Sequence, residues 1–432
     1  MTSIQELYKV YKNSTGVCTD TRSITKGCLF FALKGASFNG NLFATKAIEA
    51  GALAVVVDDV SVVDGEQYFF VSDVLRTLQD LANYHRNTLD IPVIGVTGTN
   101  GKTTTKELIK SVLDRKFEVL ATEGNFNNHI GVPLTLLSIK DSCEVAVIEM
   151  GANHQGEIAF LCEIAEPTMG LITNVGKAHL EGFGSFEGVK KTKSELYKFI
   201  ESKAGLLFVN KENNHLQGML GEGADLFYYG ADDTCEVRFV SVESSPNLAF
   251  NCFVDGKTVH VKSHLIGGYN LENALAAISI GKYLGVRVDE IVKAIEEYVP
   301  NNNRSQLITT EHNKVLFDAY NANPTSMGLA VGNFLSLEED NKVMILGEMK
   351  ELGDDSEKEH SILLDSVRKN GEAKVFLVGD QYTTIIRADD NFKWFNSVDL
   401  LKAYLQDNAL LDSFILVKGS RSNKLEGLKE VL

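Results

Sequence analysis

Thr97-Gly98-Thr99-Asn100-Gly101-Lys102-Thr103-Thr104-Thr105 is the stretch that decides the fold of this 432-residue chain. Ahead of it runs Ile91-Pro92-Val93-Ile94-Gly95-Val96, a β-branched apolar run that reads as a buried parallel strand. Behind it, residues 106–116 carry Leu108, Ile109, Val112 and Leu113 at helical spacing. Strand, glycine loop, Lys-Thr and helix together are the layout of a phosphate-binding loop. Glycines let successive backbone N–H groups converge on phosphate oxygens, and the helix N-terminus adds partial positive charge. Lys102 is placed to reach the β- and γ-phosphates, and the Thr103 hydroxyl to ligate Mg²⁺. Thr99, Asn100, Gly101 and Thr104 complete the cradle. The usual pattern has a glycine where Val96 stands, so this loop departs from it, and its glycine comes later, at Gly98. A glycine turn that merely caps a helix is the bland alternative; the flanking strand and helix argue against it. A nucleoside triphosphate site is expected.

The length calls for two or three domains. A formal charge of −16 and a pI near 5.1 argue against nucleic acid or an anionic membrane as the main partner. An anionic nucleotide must then be met by a local cluster of Lys, Arg and Mg²⁺. Six scattered cysteines without a C-x-x-C pair read as small apolar residues in a reducing compartment. The N-terminus shows no export signal, and no apolar run approaches the ~18 residues of a membrane span. A cytoplasmic chain without a membrane span is expected.

Outward from the loop, the chain divides into 1–88, 89–300 and 301–432. In the first unit, residues 28–33, 52–57 and 68–71 read as strands, and 44–50 and 75–88 as helices. Its Asp20-Thr21-Arg22 turn carries an arginine suited to a phosphate or a carbonyl, or simply to the surface. In the second unit, strands at 93–97, 145–149, 170–174 and 206–209 alternate with helical stretches. That alternation predicts a mostly parallel sheet with ligands at the strands' carboxyl ends. Residues 225–265 read as an antiparallel extension, and 270–284 and 288–298 as closing helices. In the third unit, strands at 315–317, 343–346, 375–378 and 414–417 predict another α/β sheet. The fold class is therefore α/β in three domains: a small N-terminal unit, a central phosphate-loop sheet and a Rossmann-like C-terminal unit.

Glu149 ends the run Val145-Ala146-Val147-Ile148. A carboxylate at that strand end, beside the phosphate loop, is placed to hold Mg²⁺ or water; a solvated strand terminus is the alternative. His179 leaves the same sheet edge, and the two could share a metal, although a lone histidine is usually structural. Lys193 falls where the apolar stripe Phe186, Val189, Leu196, Tyr197, Ile200 should continue. A buried ammonium is costly, so Lys193 either snorkels or is neutral and takes up carbon dioxide as a metal-binding carbamate. In Asp318-Ala319-Tyr320-Asn321-Ala322-Asn323-Pro324, Asn323 and Pro324 suit a helix start, which leaves Asp318 and Tyr320 as site candidates. Arg304 could reach a γ-phosphate as domains close.

These motifs make the chain resemble the Mur ligase family of ATP-dependent amide-forming ligases. The resemblance rests on TGTNGKTTT at 97–105, EGNFNNHIGVPLT at 123–135, EMG at 149–151 and NVGKAHLEGFGS at 174–185. It continues in TKSEL at 192–196, GGYNLENALAA at 267–277 and DAYNANPTSM at 318–327. DTRSITKGCLFFALKG at 20–35, GEMKELGDDSEKEH at 347–360 and LVKGSRSNKLE at 416–426 point within the family to the branch that adds D-alanyl-D-alanine. VPNNNRSQ at 299–306 departs from the Pro-Gly-Arg turn of many members.

The resemblance implies ATP, two Mg²⁺ sites, UDP-N-acetylmuramoyl-tripeptide and D-alanyl-D-alanine, on a monomer. It implies phosphate and first-metal binding by Lys102 and Thr103, and a second metal on Glu149, His179 and carbamylated Lys193. Asn273 is expected at the adenine, Arg304 at the phosphates and Asp318 at the ribose or phosphate side. Asp20, Thr21, Arg22, Asn127, Asn128, Tyr320 and Asn323 are expected at the other substrates. A related ligase, such as a folylpolyglutamate synthetase, and a nucleotide-driven switch are the competing readings.

Overall fold

Three sheets organise the chain. The computed structural model describes all residues except Ser245, Asn302, Gly371, Glu372 and Asp389, and all side chains of the remainder except those of Ser244 and Asn370. The first sheet takes Val17–Cys18, Leu29–Phe31, Ala54–Val57 and Tyr68–Phe70 side by side in chain order, all parallel. Its inner strands Leu29–Phe31 and Ala54–Val57 are buried at every position, which is why they read as unbroken apolar runs.

The central sheet has nine strands. Val93–Thr97 lies between Met169–Ile172 and Val145–Glu149 and is parallel to both. The loop after Thr97, the carboxylate of Glu149 and the segment after Ile172 therefore leave one carboxyl edge, where open parallel sheets bind ligands. The extension expected at 225–265 is antiparallel only in part. Asp225–Gly230 and Val237–Ser244 continue the parallel order, and Asn247–Val254 then pairs antiparallel with both Val237–Ser244 and Lys257–Ile266.

In the third sheet, Asn313–Asp318, Ser413–Lys418, Lys342–Gly347, Lys374–Val378 and Phe392–Phe395 are parallel in that spatial order. Gln306–Thr309 joins its edge antiparallel. The expected α/β class holds; most element ends shift by a residue or two, while the helix read at 106–116 runs over Lys102–Leu113, starting at the phosphate loop itself.

Several elements are additional to the expectation. The helix Ile4–Lys12 begins with a capping box between Ser3 and Glu6 and buries Leu7 and Tyr11. The short strands Val119–Ala121, Gln306–Thr309 and Phe392–Phe395 complete sheet edges.

The cores are not divided evenly. Leu7, Leu29, Val56 and Leu78 belong to one continuous apolar cluster with Ala146, Ile148 and Leu196 of the central unit. The helix Val74–Arg86 reinforces that union by donating to central-unit carbonyls: Gln79 to His129 (3.0 Å), Asn83 to Glu163 (2.9 Å) and Arg86 to Ala165 (3.1 Å). Two separate clusters serve the third sheet; one of them borrows Ile266.

Candidate active site

A cavity of about 790 Å³ lies where the central carboxyl edge faces the third sheet. It brings together the phosphate loop, Glu149, His179, Lys193, Asn273, Arg304, Asp318 and Tyr320. Residues that are distant in sequence share it because three strand ends point into the same space.

The loop is built as its sequence demands. Gly98 has φ +144°, and a Cβ there would sit 2.0 Å from Thr173 Oγ1 and 3.0 Å from the Thr173 backbone nitrogen. Gly101 has φ +79° at the start of the helix Lys102–Leu113, and a Cβ would meet Asn273 Oδ1 at 2.5 Å. Only glycine combines those dihedrals with such close approach. Lys102 Nζ donates to the carbonyls of Gly98 (2.8 Å) and Thr99 (3.1 Å), so it folds back over the loop.

Two oxygen atoms next to that lysine are conspicuous. Thr103 Oγ1 and Glu149 Oε2 are buried without a hydrogen-bond partner among the described residues. Buried oxygens are ordinarily satisfied, so both fit a ligand that supplies positive charge. The other carboxylate oxygen, Glu149 Oε1, accepts from Asn127 Nδ2 at 2.7 Å. Among the described residues, no three His, Cys, Asp or Glu side chains form a metal cluster by themselves. The donor set of hydroxyl, carboxylate and phosphate oxygens suits a hard cation such as Mg²⁺.

Lys193 is only 3% exposed, on the inner face of the helix Phe186–Ser202. It does not snorkel. Burial, with a contribution from nearby Lys102, pulls its ammonium down to about 7. Its Nζ lies 5.6 Å from the Phe183 ring centroid, and the His179 ring packs edge-to-face on the same ring at 6.1 Å. His179 has φ +50°, and its Nδ1 meets the Glu351 carboxylate from the third unit.

On the facing wall, Asp318 Oδ2 pairs with buried Lys418 at 2.5 Å, and its Oδ1 accepts from the Ser305 amide. The Arg304 guanidinium stacks 3.7 Å from the Tyr320 centroid, and its Nε is buried without a hydrogen-bond partner among the described residues. Asn323 caps the helix Pro324–Ser336, as its position before proline foretells, and its Nδ2 donates to Asn100 Oδ1 at 2.8 Å. Asn273 is spent within the protein, accepting from Thr105 Oγ1 and donating to Asn270 Oδ1. Asn128 Oδ1 accepts from the Ile130 and Gly131 amides just ahead of the helix Gly131–Leu136. Asn302, in the 299–306 turn, lies outside the described residues.

The Asp20-Thr21-Arg22 turn is elsewhere. Asp20 lines a second cavity of about 840 Å³ between the first and central units; Thr21 and Arg22 do not line it. Arg22 is exposed and paired to Asp20 at 2.6 Å, and that guanidinium holds the Asp20 carboxyl well below the usual range. Sequence reasoning gave no role to Glu351, Lys418 or Arg421, all of which line the main cavity. Their signal lay in the quoted segments 347–360 and 416–426.

The comparisons with known proteins agree on one family. Models described as the Mur ligase family catalytic domain, the Mur ligase middle domain and the Mur ligase glutamate ligase domain match residues 13–96, 96–281 and 303–421. The UDP-N-acetylmuramoyl-tripeptide–D-alanyl-D-alanine ligase of Bacillus subtilis is 36% identical over 95% of this chain and 91% of its own. The Escherichia coli protein of the same name is 34% identical over 96% and 93%. Among solved structures, MurF from Acinetobacter baumannii superposes with a TM-score of 0.88 at 29% identity, covering 99% of this chain and 98% of that one. MurF ligase from Thermotoga maritima, solved in complex with ADP, superposes at 0.86 with 25% identity, over 98% and 97%.

Proposed function

The chain belongs to the Mur ligase family, and from that premise we propose how its own residues join D-alanyl-D-alanine to UDP-N-acetylmuramoyl-tripeptide. It is an ATP-dependent amide-forming ligase that releases ADP and phosphate. The observation that carries the site assignment is the pair of buried, unpartnered oxygens, Thr103 Oγ1 and Glu149 Oε2, beside Lys102 in one cavity.

A free carboxylate is a poor acyl donor, so the terminal carboxylate of the tripeptide first takes the γ-phosphoryl group of ATP. The dipeptide amine then attacks the acyl carbon, loses its proton and expels phosphate as the amide forms. Lys102, once released from its loop carbonyls, and Arg304 bind and neutralise the transferring phosphoryl oxygens. Thr103 would hold the first Mg²⁺ and Glu149 would serve the second, and such ions would disperse charge on those oxygens when bound. Asn273 and Asp318 flank the nucleotide's adenine and ribose.

Lys193 is given a further role. With its ammonium pulled down to about 7, a large share of the amine is neutral near physiological pH. A neutral amine adds carbon dioxide, forming an N–C bond and releasing one proton, and so presents a second carboxylate beside Glu149. With His179, that carbamate suits a second Mg²⁺. Asn127 and Asn128 border the phosphate loop on the tripeptide side, and Tyr320 and Asn323 lie on the dipeptide side.

In this reading residues 1–88, with Asp20, Thr21 and Arg22, receive the UDP-sugar, 89–300 hold ATP and 301–432 present the dipeptide. The enzyme acts as a monomer in the cytoplasm, where ATP and UDP-linked precursors are supplied. Among the described residues no helix is long and apolar enough to cross a membrane.

Phosphate release is to be measured with ATP, Mg²⁺, UDP-N-acetylmuramoyl-tripeptide and D-alanyl-D-alanine, omitting one component at a time. Release that needs all four, with a pentapeptide product by mass, is the expected result. Release indifferent to D-alanyl-D-alanine overturns the acceptor and revives a nucleotide switch.

A further inference from the structure

Three cationic side chains reach the main cavity from residues beyond 300: Arg304, Lys418 and Arg421. Lys418 is committed, buried and paired with Asp318 at 2.5 Å. Arg304 and Arg421 take part in no ion pair among the described residues. They occupy different depths around one ring: the Arg304 guanidinium lies 3.7 Å from the Tyr320 centroid and the Arg421 guanidinium 5.1 Å. The Arg304 Nε is enclosed by protein, whereas Arg421 is exposed at the mouth.

The backbone under Arg421 is held firmly although its side chain is open. Ser420 Oγ accepts from the Lys350 amide at 3.0 Å, and Asn423 Nδ2 donates to the Glu348 carbonyl at 2.8 Å. Gly419 lies so close to Gly347 that a Cβ would meet its Cα at 2.8 Å. A guanidinium on a fixed loop, stacked on an aromatic face and left without a carboxylate, is preorganised for a planar anion.

Two anions must meet this wall during the reaction. The triphosphate lies toward the phosphate loop, on the side of the enclosed Arg304. The other is the acceptor's own carboxylate, the end of the dipeptide that must not react, and it arrives from solvent on a chain of net charge −16. We propose that Arg421 is the carboxylate anchor of the acceptor. It selects a short peptide with a free C-terminal α-carboxylate and aims its amine inward. The Tyr320 ring lies within reach of both guanidiniums, and its electron-rich face favours two cations on one wall. The exposed Leu329 beside them offers apolar surface for small side chains. The assignment rests on the ligase reading above.

The test compares D-alanyl-D-alanine with its C-terminal amide on the wild type, Arg421→Lys and Arg421→Ala. The wild type is expected to prefer the free acid by about 10–100-fold in kcat/KM, the worth of a charge-assisted contact. Arg421→Ala should raise the acceptor KM by a similar factor, leave the KM for ATP in place and no longer distinguish acid from amide. Arg421→Lys should fall between, since it keeps the charge and loses the fork. A raised KM for ATP with acid–amide preference intact overturns the proposal and gives Arg421 to the phosphates. Unchanged acceptor kinetics in Arg421→Ala overturn it as well. If the wild type itself forms no product with either acceptor, the ligase reading fails before Arg421 is reached. Thermal melts of both variants matching the wild type show that the fold is intact.

Discussion

Removing the amide that holds Glu149 tests the metal assignment most directly. Glu149 is 1% exposed, its Oε1 accepts from Asn127 Nδ2 at 2.7 Å, and its Oε2 has no hydrogen-bond partner among the described residues. In Asn127→Ala the carboxylate keeps its burial but loses its one side-chain donor. A hydrogen bond to a charged acceptor is worth about 1.5–3 kcal/mol. At about 1.4 kcal/mol per factor of ten, the half-saturating Mg²⁺ concentration should rise about 10–150-fold. That span overlaps the 10–100-fold typical of outer-shell groups that orient a metal ligand. The assay is phosphate release titrated with Mg²⁺ at saturating ATP, tripeptide and dipeptide, with a thermal melt to exclude unfolding. Added Mg²⁺ should restore much of the lost rate, because the defect lies in holding the ion. A Mg²⁺ midpoint within twofold of the wild type, at normal kcat, refutes the reasoning. It would mean that Asn127 serves only its loop, where Gly151 N donates to its carbonyl at 2.7 Å.

Gly98→Ala should abolish nucleotide binding while the chain stays folded, because its Cβ would collide with Thr173 at φ +144°, a strain of about 1–3 kcal/mol before the clash; ADP calorimetry checks it, and wild-type affinity refutes it. Lys193→Ala should lose at least about 100-fold in kcat, and wild-type enzyme stripped of carbon dioxide should regain rate on adding bicarbonate, with the mass of one CO₂ on the peptide holding Lys193. His360 supplies a pH signature of stability. It is fully buried, with Nε2 accepting from Met349 N at 2.9 Å and Nδ1 donating to the Ser356 carbonyl at 2.7 Å, and burial lowers its pKa. The unfolded chain therefore binds the proton first, so this contribution is intact above about pH 6.5 and is lost as pH falls from there toward the folded value. His360→Gln should flatten that part of the melting-temperature profile relative to the wild type; an identical slope refutes the assignment, while His85, also buried with a lowered pKa, accounts for any residual slope.

What could be read from sequence followed the range of the forces involved. The phosphate loop was legible because its strand, glycines and helix are contiguous and each is locally determined. Lys193 was legible because a helix stripe has a fixed period and a charge on it stands out. The antiparallel assignment at 225–265 was half right, since strand direction depends on connections that local pattern does not encode. The helix Ile4–Lys12 had a readable signal in its Ser3 and Glu6 capping box and its Leu7 and Tyr11 stripe. The pairings of Lys418 with Asp318 and of His179 with Glu351 join residues 100 or more positions apart and exist only once the sheets face each other. Arg421 belongs with these, because its conspicuous property is the absence of a carboxylate partner among the described residues, which only the assembled cavity reveals.

The apolar cluster that runs from Leu29 and Val56 to Ile148 and Leu196 has a consequence for biosynthesis. A ribosome makes the N-terminal unit first, yet the helices Gly131–Leu136 and Glu157–Ala165, which pack on the outer face of its helix Val74–Arg86, are synthesised only later. Helix Val74–Arg86 likewise waits for carbonyls as far along as Ala165 and Glu166. The first quarter of the nascent chain thus spends its early life with an uncovered apolar face, open to chaperones and to neighbouring chains on the same message. The C-terminal sheet, with core clusters largely its own, can complete itself almost as soon as it emerges. Truncation should therefore be tolerated differently at the two ends: a fragment ending near 300 keeps the shared cluster whole, and one beginning near 89 does not.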